Sequence, residues 1–259
     1  MKDKFATTLF TVRDELKSAG IGPVFKEIAE MGYAGIQLSG LPPGYDQDEV
    51  AYHLKKNGVA TAGMHVSFDR LTNEFDLVRQ EAKKYGTTDV FCPYLPESLQ
   101  TESGYREVKK TLNALAKAAP ELRIGYHNHA FEFETQLEGM DALAYLLEPR
   151  EDNAIFAEID VFWVAKGGHD PLSYVEPYKG RMPVIHLKDM TADEDRTFAE
   201  VGEGIIDFPP LLQWGERHGI EWYVVEQDVC KGAPMDSLRM SLSNLHRFAD
   251  ALQEQKQKK

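Results

Sequence analysis

Ile124-Gly125-Tyr126-His127-Asn128-His129-Ala130-Phe131-Glu132-Phe133-Glu134 begins as an apolar strand and runs directly into two histidines, an amide and carboxylates. Three later runs end the same way: Ala157-Glu158-Ile159-Asp160, Val184-Ile185-His186-Leu187-Lys188-Asp189 and Val224-Val225-Glu226-Gln227-Asp228. Strands that each finish in metal-capable or proton-transferring side chains imply one active site assembled from distant pieces. That pattern puts an enzyme first.

Outward from these runs, short apolar segments alternate with amphipathic ones. Strands are predicted at Phe5–Val12, Ala34–Ser39, Ala60–Val66, Asp89–Tyr94, Arg123–His129, Ala154–Val161, Met182–Lys188 and Glu221–Asp228. Helical spacing is predicted at Val24–Met31, Glu49–Lys56, Phe75–Tyr85, Gly104–Ala119, Met140–Leu147, Pro171–Tyr178, Pro209–His218 and Met235–Gln253. Glycine breakers punctuate the units, as in Met31-Gly32, Asn57-Gly58 and His218-Gly219. An unbroken series of strand–helix units over 259 residues predicts a single α/β domain, a (β/α)8 TIM barrel, with residues 254–259 as a frayed polar tail. A doubly wound sheet is the rival, but no GxGxxG follows the first strand.

A net charge of −13 argues against a nucleic-acid backbone as partner, because such binding draws on clustered Lys and Arg. It favours a small ligand. Cys92 and Cys230 form no CxxC pair and read as reduced thiols. The N-terminal residues lack a signal-peptide core, and no run reaches the ~20 apolar residues of a membrane span. A cytoplasmic protein without a membrane partner is the expectation.

In a barrel, inward side chains at the C-terminal strand ends build the active site, and residues two apart on a strand share a face. Parity therefore pairs His127 with His129, Glu158 with Asp160, His186 with Lys188, and Glu226 with Asp228. Asp160, His186 and Glu226 should meet near the axis with one residue of the fifth strand. Mixed nitrogen and carboxylate donors suit Mn²⁺, Zn²⁺ or Co²⁺ rather than Ca²⁺.

These features, with Thr11-Val12-Arg13-Asp14, Gly32-Tyr33-Ala34-Gly35-Ile36, His65, Phe162-Trp163 and Val201-Gly202-Glu203-Gly204, resemble the xylose isomerase-like sugar isomerase/epimerase barrels over nearly the whole chain. The resemblance implies one divalent ion (Mn²⁺, Zn²⁺, Co²⁺ or Mg²⁺) held by Asp160, His186 and Glu226, with His127 as fourth ligand. Epimerases of that family usually carry a Glu where His127 stands. The departure resembles the branch with inosose dehydratases and enzymes of 3-keto-glycosides. Glu132 is kept as a possible acid/base, beside Glu226 and Lys188 as candidate catalytic groups. Gln37 stands where many relatives have Glu, so it binds rather than acts as base. Arg13, His65, Asn128, His129, Glu158 and Trp163 complete the expected substrate-binding set.

The chemistry implied is proton abstraction beside a carbonyl, with a divalent metal stabilising the enediolate. Isomerisation or epimerisation of a ketose or related carbohydrate comes first. A lyase acting on a keto-polyol or 3-keto-glycoside comes next, followed by an abasic-site endonuclease and a non-catalytic sugar-binding barrel. Blander roles stand beside the sharp ones. His127 also suits a position behind the ligands, Glu158 a buried ion pair, and Lys188-Asp189 a salt-bridged turn. Phe131 and Phe133 suit either a lid or a barrel–helix contact. Gly202-Glu203-Gly204 lacks the Lys-Ser/Thr of a phosphate loop. The partner expected is a small carbohydrate, with a homo-oligomer left open.

Overall fold

The computed structural model describes residues 1–257. Parallel strands β1 (Phe5–Thr8), β2 (Gly35–Leu38), β3 (Ala60–His65), β4 (Asp89–Cys92), β5 (Arg123–His127), β6 (Phe156–Asp160), β7 (Val184–Leu187) and β8 (Trp222–Val225) pair in chain order. β8 closes on β1, with Phe5 opposite Tyr223 and Thr7 opposite Val225. The predicted (β/α)8 barrel is therefore the fold.

The strands are buried on both faces, which is why they read as apolar runs. The outer faces pack against helices α1 (Arg13–Ala19), α2 (Ile21–Met31), α3 (Gln47–Asn57), α4 (Phe68–Asn73), α5 (Phe75–Tyr85), α6 (Glu102–Ala118), α7 (Ala142–Leu147), α8 (Val161–Lys166), α9 (Pro171–Val175), α10 (Phe208–His218) and α11 (Pro234–Gln257). The Gly32, Gly58 and Gly219 breakers fall directly after α2, α3 and α10. Inside, Ala6, Ala62, Phe91, Val184 and Val224 form an apolar plug. Gly125 makes room for it: a β-carbon there would lie 2.4 Å from the Phe91 ring. Arg123 forms ion pairs with Asp89 at 2.6 Å and Glu221 at 2.5 Å, beside the start of β5.

The elements differ from expectation mainly at their ends. The first strand stops at Thr8, whose hydroxyl accepts from Phe10 N at 3.2 Å and turns Leu9–Val12 into a 3-10 segment. The predicted strand to Val161 stops at Asp160, because the Asp160 carboxylate caps a new helix. It accepts from Phe162 N at 2.9 Å and Trp163 N at 3.4 Å. The helix expected from Met140 starts at Ala142, since Met140–Asp141 pairs with Gln136–Leu137. Helix α11 runs on to Gln257, so residues 254–257 of the tail expected to fray are helical, and 258–259 lie outside the described residues.

Candidate functional site

His127 ends β5, Asp160 ends β6, His186 lies within β7, and Glu226 directly follows β8. Asp160 is in register with His186, and His186 with Val224, the residue two before Glu226. Alternation along the strands then brings these side chains to the barrel axis. One donor atom from each lies within 4.8 Å of the others, and all four residues are buried. Above them opens a cavity of about 350 Å³ whose walls include His65, Tyr94, His127, His129, Glu226 and Asp228. This is the C-terminal face, where a barrel of this kind places its chemistry.

Glu158, fully buried, is the hub beneath. Its Oε2 lies 2.5 Å from His65 Nε2 and 3.1 Å from His127 Nδ1, and its Oε1 accepts from Gln37 Nε2. Gln37 Oε1 accepts from His186 Nε2 at 2.8 Å, while His186 Nδ1 lies 3.1 Å from Glu226 Oε2. Burial opposes the Glu158 charge, but His186, His65 and His127 outweigh it and hold the carboxyl well below its ordinary value. His127 is pushed down to about 3, first by burial and then by His186, so it stays neutral and keeps a lone pair to offer.

Lys188 Nζ sits 2.9 Å from Asp160 Oδ2, 2.9 Å from Glu226 Oε2 and 2.6 Å from Asp228 Oδ2. Burial works against its charge, yet these carboxylates keep its pKa above the ordinary value. Burial pushes Asp160 up to about 6 against the pull of Lys188, and Glu226 adds to the rise. Burial likewise opposes the charge of His186, which Glu158 and Glu226 nevertheless hold up to about 10. Glu158, Asp160, Glu226 and Asp228 together carry more negative charge than Lys188 and a proton on His186 offset. Such a buried anionic excess needs compensation. A divalent ion between His127, Asp160, His186 and Glu226 would provide it, and the two-nitrogen, two-oxygen donor set suits Mn²⁺, Zn²⁺ or Co²⁺. The residues fit the expected ion. A second donor group, His65, His127, Glu158 and His186, overlaps the first.

Other expected site residues divide. Gln37 and His65 belong to the hub, and His129 lines the cavity. Trp163 stands behind His129, their rings 5.3 Å apart, and neither His129 Nδ1 nor Trp163 Nε1 has a protein partner. Three residues depart from their expected roles. Asn128 is fully buried and ties β5 to β6: its Oδ1 accepts from Asp160 N at 2.9 Å. Arg13 donates to Phe10 O at 2.7 Å and Asp228 O at 2.9 Å, which fastens the loop after β8 rather than facing the cavity. Glu132 is turned away on the side of Tyr126, whose hydroxyl donates to it at 2.8 Å, and it accepts from His129 N at 2.9 Å. Tyr126 alternates with His127, so this carboxylate lies behind the strand and not in the mouth.

The Gly202-Glu203-Gly204 loop has its own occupant. Asp189, fully buried, accepts from Gly202 N and Gly204 N at 2.9 Å and from Ile206 N at 3.0 Å. The backbone N–H groups that a phosphate would need are already taken by a carboxylate. A β-carbon on Gly204 would lie 2.2 Å from Met190 O, so only glycine lets the loop close on Asp189. Phe131 stacks on His129 at the mouth, whereas Phe133 packs toward Gly167, His169 and Tyr174. Sequence reading passed over Tyr94 and Asp228 as site residues. Asp228 was findable from its parity with Glu226; Tyr94 carried no signal beyond an aromatic at a strand end.

Among curated proteins, the chain is 26% identical to inosose dehydratase of Geobacillus kaustophilus, across 88% of this chain and 87% of that one. It is also 26% identical to the Clostridium tetani inosose dehydratase, where the match spans 52% of each chain, about half the relative's length. Among solved structures, a sugar phosphate isomerase/epimerase from Parabacteroides distasonis superposes with a TM-score of 0.77 at 19% identity, covering 93% of this chain and 97% of that one. The sequence profile described as xylose isomerase-like TIM barrel matches residues 25–239. With the closed barrel and its C-terminal cluster, that match over most of the chain places this protein in the xylose isomerase-like TIM barrel family.

Proposed function

We propose that this chain is a divalent-metal-dependent enzyme that removes a proton beside the carbonyl of a keto-carbohydrate and then expels the substituent one carbon further on. The observation that carries the reading is the convergence of His127, Asp160, His186 and Glu226 within 4.8 Å of one another below an open cavity. A bound divalent ion supplies positive charge where negative charge develops on the carbonyl oxygen. Everything else falls to the chain's own residues. Glu226, kept ionised by Lys188 and His186 against its burial, is the carboxylate placed to accept the proton. As the C–O bond breaks, its electron pair leaves on oxygen. Lys188 and Asp228, paired at 2.6 Å beside Glu226, are placed to return a proton to that oxygen. His129 lines the cavity, and its buried Nδ1, like Trp163 Nε1 behind it, has no protein partner.

Elimination takes precedence over isomerisation or epimerisation on one observation. Epimerisation by two bases needs proton-transfer groups on both faces of the substrate; His127 stands where the second carboxylate is usual, and Glu132, the possible acid/base beside it, lies behind β5. The names of the curated relatives, inosose dehydratases, point the same way.

The test is to incubate the Mn²⁺-loaded protein in D₂O with an inosose, following conjugated-carbonyl absorbance and proton NMR. Loss of water with a matching ultraviolet band is expected, slowed at least about 10²-fold in Glu226→Gln. Exchange and inversion at the carbon without loss of water would select the epimerase reading. Full activity in folded Glu226→Gln would overturn the mechanism.

A further inference from the structure

We propose that Lys188 and the divalent ion compete for the same two carboxylates, and that ion binding moves the Lys188 ammonium off Asp160 and Glu226 and onto Asp228. Lys188 directly follows β7 and is fully buried. Its Nζ bridges Asp160 Oδ2 and Glu226 Oε2, 2.9 Å from each, and those residues are the two acidic members of the proposed ligand group. Its third and shortest contact is Asp228 Oδ2 at 2.6 Å. Asp228 is the outermost of the three acids and lines the cavity. Its side chain is 22% exposed, against 6% for Glu226 and 0% for Asp160.

Charge rather than direction holds this ammonium. Lys188 Nζ, Asp160 Oδ2 and Asp228 Oδ2 are close, yet none of the three atoms makes an aligned hydrogen bond. The rings of Trp163, Phe198 and Phe162 stand 5.3, 5.7 and 6.0 Å from Nζ. Attraction to ring faces tolerates a shift of the cation between neighbouring acids. A divalent ion drawn to Asp160 and Glu226 supplies the force for that shift, because like charges in a buried site repel strongly. Lys188 is enclosed and needs a counter-ion. Asp228 is the one acid it touches outside the proposed ligand group. The ion thereby delivers Lys188 to the acid with which it is placed to protonate the leaving oxygen. Loading the site and arming its proton donor become one event. The proposal rests on the metal reading above and adds to it how the chain's own cation responds to the ion.

Mn²⁺ affinity, measured by competition with a chromogenic chelator in variants that circular dichroism shows to be folded, tests it by sign. Lys188→Met removes the competing charge and keeps an unbranched stem, so it should bind Mn²⁺ at least about tenfold more tightly than the parent. Asp228→Asn removes the acid that receives the ammonium and should weaken Mn²⁺ binding at least about fivefold. A crystal structure of the parent with Mn²⁺ bound reads the movement itself. Lys188 should remain paired with Asp228 and no longer bridge Asp160 and Glu226. Equal or weaker binding in folded Lys188→Met, unchanged binding in Asp228→Asn, or a Lys188 that still bridges both acids beside bound Mn²⁺ would overturn the competition and leave the metal reading standing. Should Lys188→Met not fold, Asp228→Asn and the Mn²⁺-bound structure decide the matter. A parent that binds no Mn²⁺ would remove both the metal reading and this proposal.

Discussion

Glu158 Oε2 lies 2.5 Å from His65 Nε2, 3.1 Å from His127 Nδ1 and 3.5 Å from His186 Nε2, so one buried carboxylate fixes the orientation of three imidazoles. Gln37 Oε1 also holds His186 Nε2, at 2.8 Å, which turns His186 Nδ1 toward Glu226 Oε2 at 3.1 Å. Carboxylates behind ligating histidines typically contribute 10–100-fold to metal affinity. Glu158→Gln should therefore weaken Mn²⁺ binding by roughly that factor, measured by competition with a chromogenic chelator, while circular dichroism stays native. Glu158→Asp should recover part of the loss, and unchanged affinity in Glu158→Gln would remove it from this role. At this scale the sequence was legible wherever strand alternation applied. His127, Glu158, Asp160 and His186 could be assigned faces because each sits inside a strand, and Glu226 because it directly follows one. Asn128 and Glu132 lie past the end of β5, where a turn and the 3-10 segment Phe131–Phe133 replace the period of two. Their directions depend on Asp160 N and Tyr126, partners that no local pattern reveals.

The segment after β5 stores a protonation preference. Burial pushes Glu132 up to about 8 from an ordinary 4.5, against the opposing hydrogen bonds from Tyr126, its own backbone and His129. The folded state then holds this proton more tightly than the unfolded chain does. The stabilising contribution is fully present below about 4.5 and is lost as the pH rises through about 8. Thermal unfolding should show a midpoint that falls between about pH 5 and 8 and a flatter profile in Glu132→Gln, and an unchanged slope in that variant would assign the dependence elsewhere. The loop held by Asp189 makes a second element-scale prediction. Asp189→Ala leaves the half-buried N–H groups of Gly202, Gly204 and Ile206 without their acceptor, and should lower the unfolding free energy in urea by about 2 kcal/mol. A change below about 0.5 kcal/mol would mean that water satisfies those groups. Long elements were legible from periodicity, with errors confined to their ends. α1, α4 and α8 were missed because each follows a strand end with little or no loop between, and α8 begins on a cap that looked like the end of a strand.

For the molecule as a whole, the same strands that close the barrel build a layered interior, an apolar plug around Phe91 beneath a polar cluster around Glu158. Phe91→Ala should cost about 3–5 kcal/mol in urea unfolding, because the space left beside Gly125 has no side chain to fill it. The order of strand–helix units made this architecture readable, since consecutive parallel strands with covering helices have few ways to close. Shape of the mouth was not readable, because its walls at Ser39, Tyr94 and Asp228 follow β2, β4 and β8 and meet only in the folded barrel. Among the described residues no helix is long and apolar enough to cross a membrane. The central claim, that β5 to β8 converge on a divalent ion, is tested most directly by elemental analysis of gently purified protein and of Asp160→Ala. Asp160→Ala loses the α8 cap, about 1 kcal/mol, and one of the three carboxylates around Lys188, so circular dichroism first establishes that the variant is folded. About one divalent ion per chain in the parent, lost in Asp160→Ala, is the predicted result. No metal in the parent even after incubation with Mn²⁺ or Co²⁺, or equal metal in both proteins, would contradict the account.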